Sequence, residues 1–396
     1  MSDMFKERIR FPIPLTELQR RHDAVKAMME TQGLDMLLMS NDNQFLGGYV
    51  RYFTDIPAGN AYPMTVLFEK NGEITSISMG PVNAPNPDPP DWAARVIHNR
   101  ISLPYFRTLN YTNNYDADVI IDIIKKKNIK KLGLIGMGML GYAMISMIKE
   151  NTSVELINAT PMLDKIKMVK SPAELEMIQL SVKMHDESVD FVKSILRPGM
   201  YEYELRAELA KWLKIYGSEE QLLILRSSSE KVTPITTQFY QNRQIQKGDY
   251  VNVLNESSGP GGFYCEIART YVLGEPSESA VKAYETSVEL QKFVADMVKP
   301  GVPANTILSR YNERLKDMGI PPETRLFMHS QGYDLVEMPG FGEKDDTILC
   351  EGIFFALHPA IMMPDGQHAF TCEDFLIDAE GAKMQMKRKQ EIVIVE

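Results

Sequence analysis

Two stretches of this chain repeat each other. Phe191-Val192 followed by Arg197-Pro198-Gly199 returns as Phe293-Val294 followed by Lys299-Pro300-Gly301, displaced by 102 positions at every match, from Phe191 to Phe293 and from Pro198 to Pro300. Each copy closes an apolar-periodic segment with a Pro-Gly stop and precedes another amphipathic helix. Strand patterns follow both copies: Gln221–Ser227, Asp249–Asn255 and Phe263–Leu273 after the first, Ile353–Met363, His368–Asp378 and Glu391–Val395 after the second. Residues 165–396 therefore read as an internally duplicated α+β domain with pseudo-twofold character. The competing explanation is chance likeness between two helix ends.

The first helix of that domain announces its own start. In Lys170-Ser171-Pro172-Ala173-Glu174, Ser171 suits the N-cap, Pro172 the first helical position, and Glu174 the reciprocal half of a capping box. The predicted helix runs through Phe191, and a second covers Tyr201–Tyr216. Upstream, helix and strand alternate. Leu15–Gln32 is a helix, Asp35–Ser40 a short strand, Pro63–Glu69 and Glu73–Ser78 strands around the Asn71-Gly72 turn, Ala117–Lys127 a helix and Lys131–Ile135 a strand. These make a smaller α/β domain. At 396 residues the chain exceeds the usual domain of about 100–200, so two domains are expected, 1–164 and 165–396. Gly136-Met137-Gly138-Met139-Leu140-Gly141 matches G-x-G-x-x-G, but no complete βαβ unit with an acidic residue about 20 positions on surrounds it. It reads as a turn into a helix at Tyr142–Lys149.

Composition removes several function classes. A net charge of −10 argues against nucleic acid or an anionic membrane as partner. Cys265, Cys350 and Cys372 are odd in number and sparse, which fits a reducing cytoplasm better than a secreted disulfide framework. Met1 to Arg21 mixes charges and prolines and lacks the apolar core of a signal peptide. No run approaches the ~20 apolar residues of a membrane span.

Six segments carry a more specific likeness: Lys170–Ile178, Gly248-Asp249-Tyr250-Val251, Gly262–Thr270, His329–Pro339, Gly352–Met363 and Glu373-Asp374-Phe375-Leu376. By their order and spacing, residues 165–396 resemble the pita-bread catalytic domain of the creatinase/prolidase/methionine aminopeptidase superfamily. Residues 1–164 resemble the smaller N-terminal domain of its creatinase and prolidase branch. Peptidases of that superfamily hold two metals with Asp, Asp, His, Glu and Glu. The resemblance places those positions on Asn255, Glu266, His329, His358 and Glu373, with the expected spacing of 11 between the first two. Asn255 is neutral and a poor counterion for a dication, so one metal is expected. Glu266, His329, His358 and Glu373 would hold it, and imidazole with carboxylate suits zinc, iron or manganese. A metal-free site is the alternative, as in creatinase.

Further departures bear on substrate. Where the family's peptidases place substrate-contacting histidines, this chain has Thr236-Thr237-Gln238 and Val336. These imidazoles stabilise the oxyanion of the scissile carbonyl, so the expected reaction is hydrolysis of a C–N bond in a small molecule other than an Xaa-Pro peptide. His329, His358, Glu373 and Glu337 are the catalytic candidates, with Glu337 either a general base or a rim charge. Tyr240, Arg243, Asn255, Val336 and His368 are candidates for substrate binding, although an exposed turn is the simpler reading of His368. Arg269 reads as an ion-pair partner for the carboxylates. The Ser257–Gly262 loop and its Gly-Pro turn resemble the dimethylsulfoniopropionate-lyase branch, in which an acidic residue near Glu256 is a ligand. Strand alternation, however, points Glu256 away from Asn255. Alternation likewise puts Cys265 and Cys372 on the faces opposite Glu266 and Glu373. The remaining alternatives are a metal-free creatinase-like hydrolase, a lyase or decarboxylase, and a non-catalytic binding protein. The resemblance also implies a homodimer in which Asn43–Tyr62, with Arg51, helps cover a neighbouring pocket.

Overall fold

Ser171 begins its helix as its side chain dictates. Its Oγ accepts from Glu174 N at 3.2 Å and its own N donates back to Glu174 Oε2 at 2.8 Å, closing the capping box with Pro172 behind it. The structure, a computed structural model, describes residues 11–82, 84 and 89–396. Of the N-terminal stretch Met1 to Arg21, residues 1–10 lie outside the described residues. The chain divides into two units, Pro12–Lys167 and Met168–Glu396, with Phe11 belonging to the second.

In Pro12–Lys167, strands β1 (Met36–Asn41), β2 (Met64–Glu69), β3 (Ile74–Met79), β4 (Asn99–Leu103), β5 (Lys131–Leu134) and β6 (Glu155–Asn158) form a mixed sheet in the order β4-β3-β2-β1-β5-β6. Five helices accompany it: α1 (Leu15–Gln32), α2 (Tyr49–Thr54), α3 (Tyr115–Lys127), α4 (Tyr142–Asn151) and α5 (Thr160–Lys167). Met36, Leu38, Leu67, Ile77, Ile120, Ile124, Leu132 and Ile148 are buried together between sheet and helices. Gly72 takes φ 93 at the β2–β3 turn, a region open to glycine at no steric cost.

In Met168–Glu396 the duplication is visible in the backbone. Helices α6 (Pro172–Ile195) and α7 (Glu202–Tyr216) precede strands β7 (Gln221–Ser228), β8 (Tyr250–Ser258) and β9 (Tyr264–Val272). Helices α8 (Glu278–Met297) and α9 (Asn305–Asp317) precede β10 (Met328–Ser330), β11 (Phe354–Leu357), β12 (Ala360–Met362), β13 (His368–Phe370), β14 (Glu373–Asp378), β15 (Gly381–Met384) and β16 (Val393–Ile394). The repeated glycines end their helices identically: Gly199 and Gly301 both have φ 88. Each donates its N–H at 2.8 Å to a distant carbonyl, Ile245 O and Leu349 O respectively. Among the described residues three sheets result, β16-β9-β8-β7, β10-β11-β14-β15 and the two-stranded β12-β13. The single predicted strand Ile353–Met363 is two, broken at His358-Pro359, since proline donates no ladder hydrogen bond. His368–Asp378 is likewise split at Thr371-Cys372. Both breaks fall where the site is built.

Candidate metal centre

The β8–β9 hairpin sets which side chains meet. Ser258 pairs with Tyr264 across the turn, so Glu256 lies opposite Glu266, and Asn255 opposite Ile267. Directly opposed residues of an antiparallel pair share a face, and neighbours along a strand alternate. One face turns to α6: Asn255 Nδ2 donates to Ser188 Oγ at 3.3 Å, Ser257 Oγ to Asn255 Oδ1 at 2.5 Å, and the Cys265 thiol to Ile178 O at 3.9 Å. The other face carries Glu256 and Glu266.

Towards Glu266 come two histidines from the second sheet. His329 sits on β10 opposite Ala356, and His358 follows directly on β11. One ligand atom from each of Glu266, His329 and His358 lies within 4.8 Å of the others, and all three residues are buried. The imidazole rings stand 5.1 Å apart at 62°. His329 Nδ1 is 3.2 Å from Ser330 O, an oxygen that only accepts, so Nδ1 carries the proton and Nε2 the lone pair. That lone pair faces Glu266 Oε1 at 3.5 Å. Gln331 Nε2 donates to the same oxygen at 2.6 Å, and the Cys372 thiol to Glu266 Oε2 at 3.4 Å. His358 Nε2 is buried with no hydrogen-bond partner.

Among the described residues no lysine or arginine pairs with the Glu266 carboxylate. Burial lowers the His329 pKa to about 4 and the His358 pKa well below the usual imidazole range, with His329 and Arg325 adding to the latter. Both rings are neutral at pH 7 and available as donors. Burial, then the Glu256 and Asp374 charges, pushes the Glu266 carboxyl well above its ordinary range. Burial raises Glu256 to about 7. Lone pair against carboxylate, an orphaned ring nitrogen and a carboxylate short of positive charge together fit a dication bound by Glu266, His329 and His358.

The sequence profile of Metallopeptidase family M24 matches residues 176–379, just over half of the chain. The chain belongs to metallopeptidase family M24. Among its relatives, an Xaa-Pro dipeptidase of Pyrococcus furiosus is 27% identical over 281 residues, 70% of this chain and 78% of that protein. A probable dipeptidase PepE of Mycobacterium tuberculosis is 26% identical over 244 residues, 60% and 63% of the two chains. The structure of an Xaa-Pro dipeptidase from Bacillus anthracis superposes with a TM-score of 0.77 at 20% identity, covering 95% of this chain and 99% of that one. The α+β pita-bread architecture expected from the sequence is the one this M24 protein has. It is an enzyme of the hydrolase class, as the family is. The expected substrate needs correction. Relatives carry dipeptidase names, which overturns the non-peptide small-molecule reading.

The M24 ligand positions do not all converge. Glu373 lies outside the three-donor group: its Oε1 accepts from Arg269 Nη1 at 2.5 Å, both side chains being fully buried. Cys372 bridges Ala268 of β9, so Cys372 occupies the donor face and alternation turns Glu373 to the opposite one. The sequence reading had this pair the other way round. Asn255, expected near substrate, is engaged on the α6 face. Glu337 pairs with Lys170 Nζ at 2.7 Å with both side chains buried, so it is neither a rim charge nor free to serve as a base. Arg243 is committed to Asp249 and to Ser227 Oγ. Tyr240 is exposed on the short turn Gln238–Tyr240, and Val336 is half-buried in its loop. His368 is buried on β13, not exposed on a turn; its Nδ1 has no partner, and burial lowers its pKa to about 4. Arg51 is buried on α2. Sequence reasoning missed Gln331, Cys372 and the placement of Glu256. Equal arms counted from Gly259-Pro260-Gly261-Gly262 would have put Asn255 opposite Glu266; the loop takes in Phe263 as well, and that one residue brings Glu256 there instead.

Among the described residues no helix is long and apolar enough to cross a membrane.

Proposed function

We propose that this chain is a metal-dependent peptidase acting on dipeptide-sized substrates with one divalent ion, zinc, iron or manganese, held by Glu266, His329 and His358. The observation that carries the reading is the mutual approach of those three donors within 4.8 Å, together with the dipeptidase names of the relatives. A bound ion in such a site polarises a carbonyl oxygen and lowers the pKa of water. The chain's own residues prepare for it. Ser330 O fixes the His329 tautomer that leaves Nε2 free, Gln331 orients Glu266 Oε1, and the Cys372 thiol holds Oε2. A cytoplasmic homodimer completes the proposal, as the superfamily resemblance implies.

The test combines elemental analysis with a dipeptide panel that includes Xaa-Pro members, assayed after loading with zinc, manganese or iron. One equivalent of metal, lost in His358→Ala, with cleavage of some dipeptide, is the expected result. Wild-type protein that takes up no metal, or that cleaves no dipeptide under any loading, ends the reading. Sedimentation gives the subunit number separately.

A further inference from the structure

His329 and Gln331 flank Ser330, and the Ser330 carbonyl is held from two directions. It accepts from His329 Nδ1 at 3.2 Å and from Glu337 N at 2.8 Å. The Glu337 side chain then reaches Lys170. We infer that the buried Lys170–Glu337 ion pair is a positioning device for the site: it keeps the Ser330 carbonyl against His329 Nδ1, and so turns Nε2 of that ring towards Glu266. This rests on the metal-dependent reading above and deepens it, since neither residue belongs to the donor group.

The pair is bonded at both ends to segments that carry site residues. Lys170 Nζ and Glu337 Oε2 are 2.7 Å apart, with the two side chains only 2% and 5% exposed. Moving either one away strands the other as a buried charge, which fixes both. On the Glu337 side the chain returns along β10: Glu337 bridges Ser330, and Ser330 N donates to Pro339 O at 2.9 Å. The carboxylate lies directly on the loop that follows β10. A Cβ at Gly332 would stand 2.5 and 2.6 Å from its two oxygens, so glycine is what lets the carboxylate sit this close. Asp334 N donates to Oε1 at 3.4 Å, and Gly332 O accepts from Tyr264 N at 2.8 Å, which ties the same loop to β9 beside Glu266. On the Lys170 side, Lys170 N donates to Gly352 O at 2.9 Å and Val169 bridges Ile353. The ammonium is therefore anchored at the head of the segment that continues through β11 to His358. One ion pair thus joins the start of the His358 strand to the loop bearing His329 and Gln331.

The experiment replaces the pair as a whole. A buried ion pair exchanged for apolar residues of similar volume is often neutral for stability, so the double variant Lys170→Met, Glu337→Leu separates positioning from folding. Full-length, chelator-stripped protein is labelled with 15N-histidine, and long-range proton–nitrogen NMR reads the tautomer of each of its six histidines, with His329→Gln assigning the signal. Calorimetric titration of zinc into the same preparations gives the affinity, and urea unfolding the stability. Wild type is expected to carry the His329 proton on Nδ1. The double variant is expected to lose that preference and to bind zinc roughly tenfold more weakly at unchanged stability. Glu337→Asp, which keeps the charge and draws the carboxylate back by one carbon, should change both readouts in the same direction and decides the matter where the double variant does not fold. A wild-type tautomer together with zinc affinity within about twofold of wild type would overturn the inference. So would weaker zinc binding with the His329 proton still on Nδ1, or a lost tautomer at full affinity. Wild-type protein that binds no zinc overturns the functional reading instead, and the tautomer still shows whether the pair holds the ring.

Discussion

Glu266 and Glu373 are both completely buried carboxylates. Glu373 has Arg269 at 2.5 Å as its counterion. Glu266 has only neutral donors, Gln331 and Cys372, and a histidine lone pair. A carboxylate taken out of water costs several kcal/mol unless it is paired or protonated. Glu373 has a cation within the chain, although its Oε2 is buried without a partner and burial still raises its pKa to about 7. On the metal-dependent reading proposed above, Glu266 would take its cation from outside.

The sharpest way to break this contrast is to remove the built-in cation. Arg269→Ala is expected to destabilise the protein by about 3–5 kcal/mol at neutral pH, because a buried carboxylate is left unpaired. Urea unfolding measures the loss, and Arg269→Ala, Glu373→Leu should recover much of it. A loss below about 1 kcal/mol would mean that Glu373 is hydrated or already protonated.

Supplying the external cation is the converse experiment. Zinc at 100 times its Kd should stabilise the wild type by about 2.7 kcal/mol, raising Tm, and should leave His358→Ala unmoved. An equal shift in that variant would place the ion elsewhere.

The pH dependence of the metal-free protein follows from the same lack of charge. Glu256 is raised to about 7 from an ordinary 4.5, so the folded state binds its proton more tightly than the unfolded state does. Its contribution is full below about pH 4.5, is lost as pH rises through about 7, and amounts to about 3 kcal/mol at most. His329, lowered to about 4, acts in the opposite sense: stability present above about pH 6.5 is lost as pH falls towards 4. Metal-free protein should therefore be most stable at intermediate pH. Bound metal should flatten the alkaline limb, and Glu256→Gln should remove much of it without metal. An alkaline limb unchanged in Glu256→Gln would assign it to other carboxylates.

How much of this could be read from the chain alone depends on the kind of order involved. Helix starts are local: Ser171, Pro172 and Glu174 satisfy one another within a single turn, and α1 runs over Leu15–Gln32 as its periodicity requires. The repeat at Gly199 and Gly301 was equally plain, since each glycine serves a left-handed position. Strand facing is another matter. A shift of one residue in register exchanges every side chain between faces, and nothing within Asn255-Glu256 or Cys372-Glu373 says which member faces inward. That was decided by the ladder at Ser258–Tyr264 and by the bridge from Ala268 to Cys372. His329, by contrast, was legible through the family resemblance, which places the ligand histidine there. His358 was legible from the same resemblance, whereas the strand break at Pro359 beside it was not, since Ile353–Met363 reads as one strand.

The two cysteines offer the smallest and most discriminating probe of those faces. Cys265 donates to a backbone carbonyl on the α6 side, whereas Cys372 donates to Glu266 Oε2. Burial raises both thiols well above their usual range, so neither should react with a thiol reagent in the folded protein. Replacing Cys265 by Ser should cost under about 1 kcal/mol and leave metal affinity alone, since only a weak donor to a carbonyl is exchanged. Cys372→Ser keeps a donor to Glu266 and should be similarly mild, while Cys372→Val removes one and should cost about 1–3 kcal/mol in the metal-free protein. Bound metal would offset part of that loss by taking over the charge on Oε2. If Cys372→Val proved as harmless as Cys265→Ser, the thiol would not be holding Glu266, and the difference drawn between the two faces of β9 would fail at that residue.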